Sequence, residues 1–481
     1  MRLARRLVLA VGACGLAATG ATAGAVGTVT TVTVASAPSV TAGTVAALAN
    51  VVVQPGIRHF GDAHTSPTST AQCEKLYHIA CYQSAQIQQA YDLPSLFSRG
   101  ITGQGTTIVI VDSFGSPTIR HDLAVFDQTF GLPAPPSFQV IQPAGRVPRY
   151  DPKNSDMVGW AGETTLDVEW AHTMAPGASI VLTETPVSET EGVHGFPQIV
   201  TAEEYVLKHY HAAVISQSFT ATEGTFPSKA SVQALRGADF AAEKDHVTML
   251  AASGDAGASD YELDGSTYYR YPVTSWSASD PLVTGVGGTQ LHLDAAGHRT
   301  ARDNVWNDTY SKATNEFIFG NAGPNPDSGG GGKSILFSRP WYQNGAQNVT
   351  GNSRGVPDVA MSAACDGAVD TYSTFGGAPA GWSQTCGTSE ATPLFAGIVA
   401  LAAQYAGHSL GLINPALYKL SERGAPGIVS VTRGNNTVSF SQGGHRYTVH
   451  GYQARAGYSL VAGVGTVDAR YFVPELAALA G

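Results

Sequence analysis

Apolar runs rich in β-branched residues alternate along this chain with segments of helical periodicity, and this alternation limits the folds that the chain can adopt. Strands are predicted at residues 107–112, 179–184, 212–216, 247–252 and 281–286. Helices are predicted at residues 85–97, 162–174, 230–244 and 390–406. Strands joined through helices pair in parallel, with right-handed crossovers. The sequence therefore predicts an α/β fold, with a doubly wound, mainly parallel central sheet flanked by helices, in one domain at residues 71–481.

A serine stands at the start of the last predicted helix. Ser389 follows Gly387, whose lack of a side chain allows the backbone to turn sharply. The first N–H groups of a helix have no intrahelical partners, and together with the helix dipole they favour a developing negative charge. Ser389 is therefore a candidate nucleophile. An N-capping serine gives the same local pattern, so a second feature has to decide between the two interpretations.

That second feature is a pair of carboxyl groups on the apolar face of predicted helix 162–174. At 3.6 residues per turn, one face of this helix carries Glu163, Asp167, Trp170 and Met174. The opposite face is expected to be solvated, and it carries Thr165, Glu169 and His172. Carboxylates four residues apart repel each other, and when buried they share protons. Acids placed to complement the dipole would explain Glu163 but not Asp167, so the pair indicates function.

Two further acids follow predicted strands. Asp255 lies in the loop Ser253–Gly257, after the apolar run 247–252, and Asp112 ends the run 107–112. Open α/β sheets bind ligands at the carboxyl ends of their strands, which makes Asp255 a site candidate. Asp255 has a second interpretation, as a turn aspartate that hydrogen-bonds its own backbone.

Three motifs, in this order along the chain, resemble the sedolisin family of serine-carboxyl peptidases. They are Glu163-x-x-x-Asp167, Ser253-Gly254-Asp255-x-Gly257 and Gly387-Thr388-Ser389-x-x-x-Pro393. The resemblance covers residues 71–470 and implies a subtilisin-like form of the doubly wound fold, in a secreted, bacterial-type peptidase. Secreted members of the family usually carry a large folded prodomain, and the residues before 71 are expected to be too few for one.

The resemblance implies roles for the four residues of these motifs. Ser389 would be the nucleophile, Glu163 the general base, and Asp167 the residue that orients and tunes the base. Asp255 would stabilise the oxyanion, which a carboxyl group can do only when it is protonated and donates a hydrogen bond. Glu163 has to be ionised at the same time, so an acidic working range is expected. Asp112 would extend the carboxyl network around the triad.

Four residues are candidates for the substrate cleft. Ser216 and Gln217 stand where many members of the family carry Ser-Trp-Gly, so the aromatic residue of that motif is replaced here. Gly330 and Gly331 belong to a glycine-rich stretch that is expected to form part of a substrate-lining loop.

The family usually binds calcium near its C-terminus, through aspartates in two motifs. At the matching positions this chain has Ser430 and Ser459. Calcium prefers charged oxygen ligands, so the loss of both carboxylates is expected to abolish strong binding. Asp468 is a candidate substitute ligand. We therefore expect a calcium-independent protein without a metal or another cofactor.

The overall charge and the N-terminus bear on partners and compartment. The formal net charge of −10 disfavours binding to nucleic acid or to anionic membranes. Residues 1–37 resemble an export signal, because arginines precede an apolar stretch that ends in small residues. Residues 38–70 are rich in Thr, Val, Ala, Ser and Pro and predict a flexible or pro-segment tail. Without another apolar stretch long enough to span a bilayer, a secreted, extracellular monomer with no membrane anchor is expected.

Four cysteines follow the predicted signal, and they allow three pairings. Proximity in sequence favours Cys73–Cys81, which leaves Cys365–Cys386 as the second disulfide. The second disulfide would tie the nucleophile loop to the strand after Pro357. Disulfides agree with an oxidising, extracellular compartment.

Protein or peptide substrates are expected, and an acid-active endopeptidase is the leading interpretation. A tripeptidyl-type exopeptidase uses the same catalytic residues, and the closure of the cleft distinguishes the two. A secreted binding or scaffold protein with an inert relic of the site is the alternative from another class. The presence of all four motif residues argues against a relic.

Overall fold

The structure, a computed structural model, describes residues 58–480. The strands are β1 (Arg58–His64), β2 (Cys81–Tyr82), β3 (Thr107–Ser113), β4 (Phe138–Ile141), β5 (Ser179–Thr185), β6 (Val214–Gln217), β7 (Ala221–Thr222), β8 (Thr248–Ala252), β9 (Ser275–Trp276), β10 (Thr284–Gln290), β11 (Asn304–Val305), β12 (Gly332–Ser338), β13 (Ser353–Val356), β14 (Val359–Ser362), β15 (Ala368–Ser373), β16 (Gly381–Cys386), β17 (Ile428–Val429), β18 (Val438–Gln442), β19 (His445–Val449) and β20 (Thr466–Val467). The predicted signal at residues 1–37 lies outside the described residues.

Thirteen α-helices connect or flank these strands in the described part of the chain. They are α1 (Thr70–Tyr77), α2 (Ser84–Ala90), α3 (Pro94–Phe97), α4 (Ile119–Phe130), α5 (Ser155–Met174), α6 (Phe196–His209), α7 (Lys229–Gln233), α8 (Gly237–Lys244), α9 (Lys312–Phe319), α10 (Gln347–Thr350), α11 (Thr388–Ala406), α12 (Asn414–Glu422) and α13 (Ala469–Ala477). Short 3₁₀ turns lie at Glu223–Thr225 and Trp341–Ala346.

An eight-stranded sheet forms the centre of the fold. Seven strands follow the order β11-β10-β8-β6-β3-β5-β4, and β14 also pairs with β10. All of these pairs are parallel except β10 with β11. The parallel, doubly wound sheet with flanking helices confirms the predicted fold class. Parallel strands end at the same edge of the sheet, and this edge positions the site described below.

The central strand β3 shows how the sheet divides the hydrophobic core. Ile108 and Ile110 belong to the cluster that also contains apolar residues of α5 and α11. Val109 and Val111 belong to a second cluster, together with residues of α6 and α8. Successive side chains of a strand point to opposite faces, so a continuous apolar run is what a strand covered on both faces requires.

Helix α5 begins earlier and is buried more completely than its sequence pattern predicts. The side chain of Asn154 caps it by accepting the N–H group of Asp156 at 3.0 Å, so the helix begins at Ser155 and not at residue 162. The expectation of a solvated face is wrong, because three residues of that face are buried: Thr165, Glu169 and His172. The helix packs on both sides, and local polar partners replace water. Glu169, for example, accepts the N–H group of Tyr372 at 3.1 Å.

Other predicted boundaries also need correction. The predicted helix 85–97 is two helices, α2 and α3, and α3 begins at Pro94, a residue suited to a first helical turn. The predicted helix 230–244 is likewise divided into α7 and α8. The predicted strand 281–286 begins at Thr284. Residues 58–64, expected to be flexible, form β1 and pair antiparallel with β16, so backbone hydrogen bonding orders them.

Both predicted disulfides are confirmed. Cys73 pairs with Cys81, and Cys365 pairs with Cys386. Cys386 ends β16 and immediately precedes the turn at Gly387 from which α11 begins. The second disulfide therefore anchors the segment that carries Ser389.

Candidate active site

The structure brings the predicted catalytic residues together at the carboxyl edge of the sheet. Asp112 is the last residue but one of strand β3, and Asp255 lies in the loop that follows β8. Glu163 and Asp167 face this edge from α5, which packs against β3. Ser389 is the second residue of α11, which packs against α5. Five residues that are spread over more than two hundred positions of the sequence thus share one buried region.

Ser389 is held at the start of α11 by the turn that precedes it. Gly387 has a φ of +127°, a conformation that a residue with a side chain rarely adopts. A Cβ atom at this position would also lie 2.6 Å from Oδ2 of Asp255. The Ser389 hydroxyl donates to the carbonyl oxygen of Ser218 at 3.3 Å. Glycine is therefore required at position 387 both by backbone conformation and by space.

Glu163 is the carboxyl group that interacts with the Ser389 hydroxyl. It is fully buried, and burial raises its pKa well above the usual range. The Ser389 hydroxyl lowers this pKa, whereas the charges of Asp112 and Asp255 raise it further. Neither oxygen of Glu163 has a hydrogen bond of full geometry among the described residues. Catalytic hydrogen bonds are often long before substrate binds, so this arrangement is compatible with proton transfer from Ser389.

Asp167 lies one turn after Glu163 and belongs to the same set of interacting acids. Burial raises its pKa well above the usual range, and the charges of Asp112 and Glu163 add to that effect. The hydroxyl of Ser218 opposes it by donating to Oδ1 of Asp167 at 2.8 Å. Carboxyl groups this close cannot all ionise, so the set shares protons.

Asp112 completes the set from the sheet side. It is fully buried, and burial raises its pKa to about 7. The hydroxyl of Thr164 lowers this pKa, and the charge of Glu184 raises it. The structure thus places Asp112 beside Glu163 and Asp167, as a neighbour whose ionisation affects both.

Asp255 approaches the start of α11 from the other side. Its Oδ1 accepts two hydrogen bonds from Thr388, one from the backbone N–H group and one from the hydroxyl, each at 2.7 Å. Its charge acts on the pKa of Glu163 and of Glu390. Asp255 is therefore joined to the nucleophile segment and faces the proposed base.

Sequence reasoning missed three residues of this region. Ser218 links Asp167 to the Ser389 backbone, because its hydroxyl lies 2.8 Å from the first and 3.3 Å from the carbonyl oxygen of the second. Thr388 holds Asp255, and Glu390 is a fully buried acid beside the nucleophile. Burial raises the pKa of Glu390 well above its usual range. Thr388 belongs to the Gly387-Thr388-Ser389 motif, which does not show its contact with Asp255, and an acid in a first helical turn, such as Glu390, normally indicates the dipole alone.

The four cleft candidates are buried around the same edge. Ser216 and Gln217 end strand β6 and are at most 2% exposed. The N–H group of Gly330 donates to the carbonyl oxygen of Gly254 at 2.6 Å, which places the glycine-rich stretch against the loop that carries Asp255. Gly331 accepts a hydrogen bond from Asn436 at 3.1 Å. Their part in substrate binding stays a prediction.

The residues at the expected calcium position do not form a carboxylate set. The Ser459 hydroxyl accepts the N–H group of Ala462 at 3.3 Å, and Ser430 is exposed. Asp468 caps α13 by accepting the N–H group of Arg470 at 3.1 Å. Each side chain has a local role or faces solvent, and the donors are neutral hydroxyls. These residues therefore do not fit a strong calcium site.

The fold and the site together define a class of protein: a subtilisin-like hydrolase with a serine among buried carboxyl groups. Residues 155–443 match the Subtilase family. Kumamolisin of Bacillus sp. (strain MN-32) is 32% identical over 398 residues, which are 80% of this chain and 62% of that protein. The chain belongs to the subtilase family, a family of serine peptidases, and its predicted likeness to the sedolisins is confirmed.

Further relatives agree. Sedolisin of Pseudomonas sp. (strain 101) is 27% identical over 432 residues, covering 89% of this chain and 65% of that protein. Human tripeptidyl-peptidase 1 is 27% identical over 366 residues, covering 72% and 55%. The solved structure of Pseudomonas sedolisin (serine-carboxyl proteinase), complexed with two molecules of pseudo-iodotyrostatin, has a TM-score of 0.66 and 25% identity, and covers 83% of this chain and 98% of that one.

The chain spans less than two thirds of the length of the curated relatives just named, at 62%, 65% and 55%. Among the helices of residues 58–480, none has both the length and the hydrophobicity needed to cross a membrane.

Proposed function

We propose that the protein is a secreted, acid-active serine-carboxyl peptidase that hydrolyses peptide bonds as an endopeptidase. The observation that carries the proposal is the convergence of one hydroxyl and two carboxyl groups, those of Ser389, Glu163 and Asp255, at the carboxyl edge of the sheet. The predicted export signal and the two disulfides support secretion.

The first step is attack of the Ser389 oxygen on the carbonyl carbon of the substrate. Glu163 accepts the hydroxyl proton as the new C–O bond forms, because its carboxyl group already interacts with that hydroxyl. Asp167 orients Glu163 and tunes its pKa, because the two buried acids interact and share protons. Glu163 then returns the proton to the leaving amine, and water hydrolyses the acyl-enzyme by the reverse sequence.

The second requirement is stabilisation of the negative oxygen in the tetrahedral intermediate. Neutral Asp255 would donate a hydrogen bond to this oxygen, as a buried protonated carboxyl can. The N–H group of Ser389 would add to the stabilisation at the start of α11. Those of Thr388 and Glu390 already donate, to Oδ1 of Asp255 and to the carbonyl oxygen of Gly387. An ionised Asp255 would repel the oxygen instead.

These two requirements determine the pH range. Glu163 must be ionised and Asp255 neutral in the same molecule, so activity falls at low pH when Glu163 gains a proton and at high pH when Asp255 loses one. The raised pKa of Glu163 moves the low-pH limit above that of an ordinary carboxylate. A bell-shaped profile in the acidic range is expected.

A peptide-library digest between about pH 3 and 7 tests the proposal, because both limits of an acid–base pair are visible in such a profile. Ser389→Ala and Glu163→Gln should lose activity, and Asp255→Asn should lose about 100-fold or more in kcat, the effect of removing an oxyanion donor. Glu203→Gln is the matched control, because Glu203 is an equally buried acid on α6, across the sheet. A wild-type protein that cleaves nothing, or a fully active Glu163→Gln, would remove the proposal.

A tripeptidyl-type exopeptidase is the second candidate, because a relative with this name matches 72% of the chain. Substrates with free and acetylated N-termini distinguish the two. An endopeptidase cleaves both at internal bonds, whereas release of tripeptides from free N-termini only would favour the exopeptidase. Cleavage of either kind contradicts the third interpretation, an inert scaffold.

A further inference from the structure

Thr388, the residue before the proposed nucleophile, contacts Asp255 through two separate donors. Its backbone N–H group and its hydroxyl both donate to Oδ1 of Asp255, each at 2.7 Å. The side chain of Thr388 is 1% exposed, so water does not compete for these hydrogen bonds.

The direction of the Thr388 hydroxyl is determined by a third contact. The oxygen of this hydroxyl accepts the N–H group of Gly254 at 3.2 Å. Because a hydroxyl has one proton, the one it carries is directed to Asp255 Oδ1. Oδ1 of Asp255 then accepts two hydrogen bonds at once. A proton on the carboxyl group is therefore less stable on Oδ1 than on Oδ2.

We propose that Thr388 is a positioning residue that assigns the proton of neutral Asp255 to Oδ2 and lowers the pH at which the active form of the enzyme is lost. The inference rests on the proposed function, in which neutral Asp255 donates to the oxyanion. Oδ2 is the oxygen next to Gly387, the turn that leads to Ser389, since a Cβ atom at Gly387 would lie 2.6 Å from it. A proton on Oδ2 therefore lies beside the Gly387 turn, while Oδ1 is occupied by the two hydrogen bonds from Thr388.

The surroundings of Asp255 explain why the hydroxyl affects pH dependence. The carboxyl group of Asp260, in the loop after β8, lies near Gly254, the residue before Asp255. The acids whose charges interact with Asp255 are Glu163 on α5 and Glu390 on α11. Their negative charges favour the neutral form of Asp255. The two Thr388 hydrogen bonds and the start of α11 favour the ionised form instead. Removing the hydrogen bond from the Thr388 hydroxyl therefore favours the neutral form of Asp255.

The Thr388 hydroxyl has two effects on activity: it orients the Asp255 carboxyl group, which raises kcat, and it favours ionised Asp255, which lowers the upper pH limit. Losing the hydroxyl leaves the Asp255 carboxyl less well aligned, which lowers kcat. Losing it also keeps Asp255 neutral to a higher pH, which extends the upper limit of activity. A residue with a purely structural role would not produce the second effect.

The test is the pH profile of kcat/KM for Thr388→Val, Thr388→Ala and Thr388→Ser, with a cleavable peptide from the library as substrate. Val and Ala lack the hydroxyl, and kcat is expected to fall about 10-fold while the upper pH limit rises by about one pH unit, as expected for one hydrogen bond to a charged group. Ser retains the hydroxyl and should keep the wild-type limit. Near-UV circular dichroism verifies folding, and Ala substitutes for Val if Val does not fold.

Thr392→Val is the matched control, because Thr392 lies one turn later on α11, is buried, and donates to the carbonyl oxygen of Thr388 and not to Asp255. Its upper pH limit should equal that of the wild type. An unchanged limit in Thr388→Ala, or an equal shift in Thr392→Val, overturns the inference. Failure of the proposed function would look different, because Asp255→Asn would then keep wild-type activity or the wild type would cleave nothing.

Discussion

Replacement of Asp112 by asparagine is expected to stabilise the protein at neutral pH and not at acidic pH. Asp112 is fully buried, and its oxygens have no hydrogen bond of full geometry among residues 58–480. Burial raises its pKa from an ordinary 3.8 to about 7, against a smaller opposing effect of the Thr164 hydroxyl. The folded state therefore binds this proton more tightly than the unfolded state does.

The sign and size of the effect follow from linkage. A group whose pKa is raised by folding contributes stability that is fully present below the unfolded value of 3.8 and is lost as the pH rises to about 7. At 1.36 kcal/mol per pH unit, the difference corresponds to at most about 4 kcal/mol at pH 8. Asparagine does not ionise and avoids this loss. We expect Asp112→Asn to gain about 2–4 kcal/mol at pH 8 relative to its effect at pH 4.

Urea unfolding at pH 4 and pH 8 measures this difference, with disulfides intact and with Ser389→Ala as the background to prevent self-digestion. Any cost of the new amide group is present at both pH values and cancels in the comparison. Asp122→Asn is the control, because Asp122 is equally buried but accepts hydrogen bonds from Thr118 and Thr374, so its replacement should destabilise at both pH values. An Asp112 variant with the same effect at both pH values would refute the reasoning.

Three further outcomes are expected. Replacing Cys365 and Cys386 together by alanine should lower the free energy of unfolding by about 3 kcal/mol, because the disulfide closes a loop with a sequence separation of 21; an unchanged denaturation midpoint would contradict this. Arg354→Met should cost about 3–5 kcal/mol, because it leaves the carboxylate of Asp358 unpaired where both residues are fully buried, and thermal melts with Arg354→Met/Asp358→Asn as the partner variant measure it. Calcium or a chelator should leave Tm unchanged, and a calcium-dependent rise in Tm would contradict the prediction that the site is lost.

Much of the fold could be predicted because its signals are local. The strands β3, β5 and β8 follow from apolar runs, and their ends differ from the predicted ones by one residue at most. The start and the burial of helix α5 do not follow from its sequence pattern, because a helix buried on all sides has no polar face to define its periodicity. Glu169 and His172 are buried among partners that no helical pattern can reveal, such as the carbonyl oxygen of Pro133 at 2.7 Å from the imidazole.

The site residues likewise fall into those that local sequence patterns predict and those that only the fold reveals. The motifs placed Ser389 and Glu163 at defined points of helices, and the strand ends placed Asp255 and Asp112. Ser218 could not be predicted, since its contacts are to residues 51 and 171 positions away in sequence. A hydroxyl that links two functional groups is visible only when the fold brings all three together.

Under the proposed mechanism, the acid and the base are both buried carboxyl groups, and this shared chemistry has a consequence for catalysis. Burial favours the neutral form of each, so its effect largely cancels when one proton is divided between Glu163 and Asp255. Local contacts then determine the division: the Ser389 hydroxyl favours an ionised Glu163, whereas the Thr388 hydrogen bonds oppose the neutral Asp255 that the mechanism requires. Negative charge on the substrate oxygen favours neutral Asp255, because a protonated carboxyl group donates a hydrogen bond to it. The stabilisation is therefore larger in the transition state than in the ground state, which is the condition for a lower barrier.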